Sequence, residues 1–574
     1  MSLLLWLGTA AAEPYNVNAL VDLEDALADP NVDELLIAGG LDLSGFGAIA
    51  VDRDIAFVGL GAGVTLPPIG SVDAHLSLVN LEVVGATSGY PDSQGGGAPA
   101  CLDQPCTVVT IRGSLTLDAV VIAGSQAAHA VHTLDADVFM SDTAFRDNGA
   151  DEYSVLLQAE DADITVDIVR LEFSGNAGPL KVFDSGDRFV SASVQDSFFY
   201  ENLGNTYFAP DLYFWGVEDV VASTLDFEGS VSRGDERGAM HLHDSSGVLS
   251  VLTFTDGAGL TVRSDYEPVD VEVYGLTCND TVSNDLGGCF YSYAADSVYL
   301  SNVWALGSSA PDVGGAIAIV GGFAGQTVTV DYANLLGTSA SSNGGGMFFD
   351  NVDAVVFDAR ICNPSAGDEG SGVYMEDGSL SMQSTAIQGS MGGPSIFLQN
   401  SDAHLTNLTV VGGEDDFLNG RSQDTDWLIE NSIFYGQRAM QEDSENTGNN
   451  TLRYNLFAAG AMSDLPHDAG YIDGDPGYTD DDIYDCYAEL IPAVDSAAVD
   501  GNPTQAELDG TGTRDLGWFW GQGSEDPPDT DEPIVDDTGD IVGFVQGPYT
   551  GGCSHAPAGI GLLGLLLAAT RRRC

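Results

Sequence analysis

LGGCFYS at residues 286–292 is the first of five copies of one short theme. The others are VGGAIAIV (313–320), NGGGMFFD (343–350), GSGVYMED (370–377) and GGPSIFLQ (392–399). Equivalent positions in successive copies lie 27, 31, 26 and 21 residues apart, a loose period that is typical of a repeat architecture. Each copy joins a glycine turn to alternating small or apolar residues, which predicts a short strand with one face turned inward.

A second theme lies between the copies, and it consists of an apolar strand followed by a small polar turn. Examples are VYLSNVWALGSS (298–309), VTVDYANLLGTS (328–339), AHLTNLTVVGGE (403–414) and WLIENSIFYGQ (427–437). Two or three short strands per repeat describe one coil of a right-handed parallel β-helix, in which stacked coils supply the core. We therefore predict an all-β, single-stranded solenoid. Antiparallel sandwich domains are the alternative, although their repeats would recur at roughly 80 to 100 residues.

The repeat extends towards the N-terminus. Strand and glycine-turn stretches within 35–86 resemble the opening coils of pectate-lyase-like β-helices, and Phe145, Phe173 and Phe198 continue the same period. Before them, apolar residues at helical spacing within 18–28 predict a short amphipathic helix that caps the first coil. We expect one solenoid body.

The first twelve residues, MSLLLWLGTAAA, combine an apolar core with a small-residue cleavage site. This pattern predicts a signal peptide at 1–12, although a basic start is missing. We therefore expect export, with the β-helix occupying residues 13–520.

The C-terminal part contains the elements D-P-x-Y, P-x-x-D-x-A and D-x-x-G-x-R-D-L-G, in that order, within 431–519. They resemble the closing segment of secreted β-helix proteins of the choice-of-anchor type, a resemblance of architecture that implies no common activity.

The next residues, 521–552, are acidic and proline-rich and predict an extended stalk. Residues 553–574 resemble a MYXO-CTERM sorting tail, which implies processing and attachment at Cys553; a plain C-terminal membrane helix is the alternative.

The chain is strongly acidic, with 87 Asp and Glu residues, 17 Lys and Arg residues and a net charge of −70. Lys181 is the single lysine. Such a surface disfavours binding to nucleic acid or to anionic lipid. Ca²⁺ suits it, because hard cations take carboxylate and carbonyl oxygens. The alternative is a solvating acidic coat without specific ion sites, so no cofactor is certain.

Eight cysteines are few for 574 residues. Two close pairs predict local disulfides in an oxidising compartment: Cys101 with Cys106, and Cys278 with Cys289. Cys362 and Cys486 either pair or stay free. Zinc is a weaker interpretation, because no histidine cluster completes a tetrahedral set.

The β-helix class contains polysaccharide lyases and glycoside hydrolases, so an enzyme of this class would need catalytic side chains on its coils. Arg233 and Arg237 form the one close basic pair near acids and histidines, and His241 and His243 follow at a spacing that points both to one side of a strand. These four are weak catalytic candidates.

Three neighbouring carboxylates, Asp235, Glu236 and Asp244, would allow the two histidines to bind a metal; a plain surface histidine pair is the alternative.

His129 and His132 are not spaced to share a strand face. Acidic pairs such as Asp415 and Asp416, or the run 480–482, arise by chance in so acidic a chain. Polygalacturonase, phosphate-loop, nucleophile-elbow and dinucleotide motifs are missing from the sequence.

These observations favour an exported, surface-anchored β-helix with a structural, adhesive or glycan-binding role. Its expected location is the cell surface, outer-membrane anchored or extracellular, and its expected partners are extracellular polysaccharide or a neighbouring cell. The alternative is a polysaccharide lyase or glycoside hydrolase that works in a groove along the solenoid. The missing motifs favour a non-enzymatic role.

Overall fold

The structure is a computed structural model. It describes residues 14–85 and 106–476, with internal gaps at 127–128, 150–152, 187, 205–208, 232–237, 285, 323–324, 414–415, 422–424, 437–438, 441–447, 464–466 and 470–471, together with positions 478, 486 and 490 and the strands Ile534–Val535 and Ile541–Gly543. The predicted signal peptide, Cys101, most of the stalk and the sorting tail with Cys553 lie outside the described residues.

The chain forms a parallel β-solenoid of about 14 turns, in which 41 strands join one continuous sheet. The predicted all-β fold is confirmed, and its right-handedness stays a prediction. One lateral face is built from short strands: Ile49–Val51, Ile69–Val72, Val155–Ala159, Leu180–Asp184, Leu212–Trp215, Met240–His243, Leu260–Arg263, Phe290–Tyr293, Ile317–Val320, Met347–Asp350, Val373–Glu376, Ile396–Gln399, Leu418–Arg421, Ala439–Met440 and Met462–Ser463. We call it the short-strand face.

The rest of each coil is formed by longer strands that bend around a corner, or by shorter strands that lie on either side of it. They are Tyr15–Val17, Glu34–Ile37, Ile55–Gly59, Thr65–Leu66, His75–Val84, Cys106–Ala123, His129–Ser141, Ala144–Arg146, Ile164–Val169, Glu172–Ser174, Val190–Tyr200, Asp219–Glu228, Gly247–Thr255, Asp270–Asn279, Ser297–Leu306, Thr327–Leu336, Asp353–Phe357, Arg360–Cys362, Ser379–Gln388, Asp402–Val411, Trp427–Glu430, Ile433–Tyr435, Thr451–Arg453, Leu456–Ala458, His467–Ala469 and Ile472–Asp473. Ser309–Ala310, Ser339–Ala340 and Ser365–Ala366 form a small separate ladder, and Ile534–Val535 pairs antiparallel with Ile541–Gly543.

The inward side chains stack on their equivalents in neighbouring coils. Phe145, Phe173, Phe199 and Phe227 form one such stack, with ring centroids 5.9, 5.8 and 4.8 Å apart. The predicted period is therefore present, but Phe199, not Phe198, is the partner of Phe173. Phe198 points outward and is largely exposed, because successive residues of a strand alternate between the two faces.

Among the described residues there is one helix, Leu20–Ala28, which follows the first strand, Tyr15–Val17. Its buried residues Leu23 and Ala26 join the solenoid core, and Arg53 donates hydrogen bonds to the carbonyl oxygens of Ala26 and Leu27 at 3.3 Å. The helix has the predicted place and amphipathic pattern, and its capping role stays a prediction. Within the described residues, no helix is both long and apolar enough to cross a membrane.

Two disulfides join described cysteines. Cys278 pairs with Cys289 as predicted, and Cys362 pairs with Cys486, which resolves the alternative left by the sequence. Cys106 is also disulfide-bonded. The second disulfide ties the segment around Cys486 to the solenoid, where Leu490 packs on Ala386 and Val411.

Each strand of nine to eleven residues bends at one residue in the left-handed conformation, and Asn431 occupies the equivalent place between two shorter strands. Asn302, Asn407 and Asn431 occupy this position with φ of 59°, 54° and 53°, which suits asparagine because its short polar side chain tolerates that region. Val251 occupies the equivalent bend with φ of 53°. A β-branched residue is strained there, and this side chain is exposed, so it gains little from packing.

Replacing Val251 by Asn is expected to stabilise its coil by about 1 kcal/mol, because asparagine reaches the left-handed region at lower steric cost. The reverse change at an equivalent bend, Asn407→Val, is expected to destabilise its coil by a similar amount. Amide hydrogen exchange in the flanking strands measures both effects. If the amide protection of the flanking strands is unchanged in both variants, the backbone at Val251 is not strained.

A ladder of buried polar side chains lines one turn of the coils. Asn148 Nδ2 donates to Asn176 Oδ1, Asn176 Nδ2 to Asn202 Oδ1, and Asn202 Nδ2 to Asp211 Oδ1, at 2.9, 3.2 and 2.6 Å. Ser230 Oγ donates to the same Asp211 oxygen at 2.9 Å. Asp211 is fully buried, and this desolvation raises the pKa of its carboxyl from 3.8 to about 7, against the opposing effect of the two hydrogen bonds.

This raised pKa predicts a pH-dependent stability. Because the folded state holds the proton more tightly, the stabilisation is complete below about pH 4 and is lost as pH rises through about 7. The shift corresponds to a loss on the order of 4 kcal/mol. Asp211→Asn should remove this part of the pH dependence. Denaturant unfolding of the unaltered protein and of the variant between pH 4 and 8 measures this contribution. If the free energies of unfolding of the two proteins change in parallel with pH, the pH dependence does not come from Asp211.

Candidate ligand-binding face

The short-strand face presents two rows of outward side chains. Within each four-residue strand the second and fourth residues point away from the core, and the in-register pairing stacks them along the solenoid axis, one coil about 4.8 Å from the next. The second-position row runs through Lys181, Tyr213, His241, Thr261, Tyr291, Ala318, Phe348, Tyr374 and Phe397. The fourth-position row runs through Phe183, Trp215, His243, Arg263, Tyr293, Val320, Asp350, Glu376, Gln399 and Arg421.

The two rows differ in exposure. The second-position side chains are buried even though they point outward, whereas most of the fourth-position row is half-buried and Arg421 is exposed. Solvent and ligands therefore meet mainly the fourth-position row.

Lys181, the single lysine, lies at the N-terminal end of the second-position row and is only 2% exposed. Its ammonium group lies 4.7, 4.1, 5.0 and 4.4 Å from the ring centroids of Tyr153, Phe183, Tyr213 and Trp215, and it donates a hydrogen bond to Tyr153 Oη at 3.3 Å. Aromatic faces attract a cation, more strongly when water is excluded. The rings thus surround the amino group of Lys181 beneath this part of the face.

His243 lies on the fourth-position row, next to this cage. Its ring stacks on Trp215 with centroids 4.9 Å apart. Nδ1 lies 3.2 Å from Tyr213 Oη, and Nε2 lies 3.0 Å from Asp265 Oδ2. Nε2–H donating to the carboxylate and Nδ1 accepting from the phenol satisfies both contacts for the neutral ring. Burial lowers the pKa of His243, while Asp244 and Asp265 act in the opposite direction.

The turn that follows Arg263 lies beside His243. Arg263 Nε donates to Asp265 Oδ1 at 3.0 Å, and the Arg263 guanidinium lies 5.3 Å from the Tyr293 ring. Asp244 Oδ1 accepts the backbone N–H groups of Asp265 and Tyr266 at 2.6 and 3.0 Å, which fixes the turn. Tyr266 is 83% exposed and so offers an aromatic side chain to solvent.

The structure places His241 and His243 on one side of the strand Met240–His243, as predicted, with ring centroids 5.8 Å apart. Arg233, Arg237 and the possible ligands Asp235 and Glu236 lie outside the described residues. Across the part of the chain that the structure describes, no group of three or more His, Cys, Asp or Glu side chains is arranged to hold a metal ion. The predicted catalytic and metal roles therefore stay predictions.

His129 and His132 were not expected to share a strand face, yet their rings lie 5.4 Å apart on the strand His129–Ser141. Burial, together with a smaller effect of the neighbouring His129, lowers the pKa of His132 to about 4. His132 therefore stays neutral at physiological pH.

The C-terminal part of the fourth-position row carries carboxylates. Asp350 and Glu376 occupy adjacent coils, and Glu376 accepts hydrogen bonds from Tyr374 Oη and Gln399 Nε2. Burial raises the pKa of Asp350 to about 6, with Glu376 and Asp377 adding to the effect. Arg421, at the end of the row, pairs with Glu369 at 2.7 Å.

Sequence reasoning missed this carboxylate pair and the Lys181 cage. A signal for the pair existed, since Asp350 and Glu376 occupy equivalent positions in the copies NGGGMFFD and GSGVYMED. The cage had no local signal, because its rings come from two different strands and one loop. The backbone carbonyl of Asp416 accepts the Ser395 N–H. Asp415 and residues 480–482 lie outside the described residues.

No family model matches this chain, and no curated protein matches it. Among solved structures, the chain is similar to the catalytic domain of a GH87 alpha-1,3-glucanase in complex with tetrasaccharides. The two are 9% identical, the similarity covers 81% of this chain and 69% of that chain, and the TM-score is 0.24. So low a TM-score says nothing about the activity of this chain.

Proposed function

We propose that this protein is an exported, surface-anchored β-solenoid with a structural or adhesive role, and that its short-strand face binds glycans. The observation that carries the proposal is the rim formed by Trp215, Arg263, Asp265, Tyr266 and Tyr293, which combines aromatic and hydrogen-bonding side chains at the surface. Sugar rings present apolar C–H faces and polar hydroxyl edges, so sites of this mixed kind suit them.

The repeat of the solenoid supports a polymeric ligand. Successive positions of the fourth-position row recur about every 4.8 Å, a spacing close to the length of one sugar unit in an extended chain. A polysaccharide lying along the axis would meet a new fourth-position side chain on each coil. Extracellular polysaccharide or the glycan coat of a neighbouring cell is thus the proposed partner, with the membrane reached only through the C-terminal tail.

Removing the exposed ring tests the binding proposal. Tyr266→Ala is expected to weaken binding to a recognised polysaccharide by about 3- to 10-fold, the effect of losing one aromatic contact. Affinity electrophoresis against a panel of neutral and acidic polysaccharides identifies the ligand and measures the change. Tyr274→Ala is the matched control, because Tyr274 is another well-exposed tyrosine on a different strand, Asp270–Asn279. Equal losses in both variants would contradict a specific role for the rim.

A glycoside hydrolase is the second candidate function, and the Asp350–Glu376 pair favours it. Hydrolysis needs one carboxyl group that gives a proton and one ionised partner. The raised pKa of Asp350 suits a proton donor, and Glu376 is a second carboxyl group on the adjacent coil. As the bond to the leaving oxygen breaks, Asp350 would give that oxygen a proton, and the Glu376 carboxylate would take a proton from the water that attacks the anomeric carbon.

Cleavage is tested by following new reducing ends with the same polysaccharide panel. If the pair is catalytic, Asp350→Asn and Glu376→Gln should each lower the rate at least about 100-fold while binding is retained. Asp353→Asn is the control, because Asp353 lies on a longer strand outside the short-strand face. Binding without any new chain ends would reject the hydrolase and leave the binding role.

A further inference from the structure

The chain returns to the outside of the solenoid at three described positions, Tyr478, Cys486 and Leu490, which we call the C-terminal arm. The Tyr478 ring lies 5.7 Å from the Tyr435 ring, centroid to centroid, and Leu490 packs on outward side chains of the sheet. A disulfide joins Cys486 to Cys362. Apolar contacts and one covalent bond therefore hold the arm in place.

The sheet surface beneath the arm is apolar. Its outward residues, which we call the covered row, are no more than 2% exposed: Ala386, Val411, Ile433, Leu456 and Ala458. The equivalent outward positions of three earlier coils carry polar side chains, namely Asp226, Glu228, Thr253, Thr255, Thr277 and Asn279. The covered row is thus suited to contact with the arm, because apolar side chains at a solvated position would be unfavourable.

The two disulfides between described cysteines differ in their access to solvent. Cys486 is half-buried, lines a cavity of about 480 Å³, and accepts a hydrogen bond at Sγ from Asn363 Nδ2 at 3.1 Å. Its partner Cys362 is fully buried. In the other disulfide both Cys278 and Cys289 are fully buried. Since thiol–disulfide exchange needs an attacking thiolate to reach a sulfur atom, Cys486 offers the point of attack.

We propose that the Cys362–Cys486 disulfide is a thiol–disulfide exchange site for a small dithiol, and that its reduction releases the C-terminal arm from the covered row. The inference goes beyond the proposed glycan-binding function and does not depend on it. It assigns to the cavity beside Cys486 a class of co-reactant, a dithiol small enough to enter it.

The exchange has two steps. A thiolate of the dithiol attacks Cys486 Sγ and breaks the S–S bond, and Cys362 leaves with the electron pair and takes a proton. The second thiolate of the dithiol then attacks the reagent sulfur of the mixed disulfide, so that Cys486 leaves as a thiolate and is protonated. The protein disulfide gains two electrons and two protons, and the dithiol becomes a disulfide. The Asn363 amide favours the second step, because a hydrogen-bond donor stabilises the charged form of the leaving sulfur.

Reduction removes the covalent part of the attachment. The bond closes a loop with a sequence separation of 124 residues, so its loss opens many more conformations to the arm. The apolar contacts of Tyr478 and Leu490 then hold the arm alone. We expect the arm to leave the solenoid for part of the time and to expose the covered row.

The first test measures which disulfide a dithiol reduces. Full-length protein with its free thiols blocked by N-ethylmaleimide is treated with dithiothreitol at neutral pH without denaturant, then with iodoacetamide, and peptide mass mapping locates the new label. Cys362 and Cys486 should gain label at least about 10-fold faster than Cys278 and Cys289, because reduction of the buried pair requires local unfolding.

The second test measures release of the arm. After selective reduction, limited proteolysis should cut within residues 477–490 at least about 5-fold faster, and the dye ANS should bind the exposed apolar side chains. Cys486→Ser should show both effects without reductant. Cys278→Ser combined with Cys289→Ser is the matched control, and its arm should stay protected until dithiothreitol is added. If this control fails to fold, the unaltered protein before and after reduction provides the comparison.

The Asn363 contact is tested separately. Asn363→Asp keeps a side chain that suits the left-handed backbone at this position, where φ is 50°, but it replaces the donor by a carboxylate that repels thiolates. Reduction of the disulfide at Cys486 should slow by about 5-fold. Asn407→Asp is the matched control, because Asn407 also has a left-handed backbone, with φ of 54°, at a bend of the strand Asp402–Val411. An unchanged rate in Asn363→Asp would reject the part assigned to its amide.

Two outcomes would overturn the main inference. Equal labelling rates at the two disulfides would reject the exchange site, because both bonds would then be reached through unfolding of the solenoid. Selective labelling with unchanged proteolysis and dye binding would reject release of the arm.

Discussion

Parallel backbone pairing holds equivalent residues of neighbouring coils about 4.8 Å apart, and the rest of the structure follows from that register. Every side chain has its own counterpart above and below, so phenylalanines stack inside and asparagines donate to asparagines in the turn. The same constraint acts on the outer face. There it places a lysine beside a tyrosine and a histidine beside a tryptophan without any help from distant parts of the chain.

Register also sets the electrostatic cost of the surface. A carboxylate in one coil lies directly beside the equivalent residue of the next, so an acidic chain cannot separate all its charges. Asp350 and Glu376 illustrate this, because neither can move away without breaking the ladder. Two features reduce the repulsion between neighbouring carboxylates. The protein keeps part of its acidic groups exposed to water, and it gives some of them donors, as Gln399 and Tyr374 do for Glu376.

Much of the fold was predictable from the sequence, because a solenoid repeats its local pattern. The five glycine-turn copies predicted strands that the structure confirms, and the Cys278–Cys289 disulfide followed from its short spacing. The choice between Phe198 and Phe199 failed, since adjacent aromatic residues give no sign of which one faces inward. The surroundings of Lys181 were also beyond prediction, because a cage of rings depends on register across three coils, and spacing along one strand does not contain that information.

The disulfide between Cys362 and Cys486 has a consequence for a protein held by one end. Its two cysteines are 124 residues apart in the chain, and the residues between them build the last described coils. Tension applied to the chain beyond Cys486 would pass through the sulfur bridge into the strand Arg360–Cys362. The intervening coils would carry almost no load and would not peel away one by one. A protein tethered through its C-terminus would thus be pulled from within its solenoid, where the strand Arg360–Cys362 is paired on both sides.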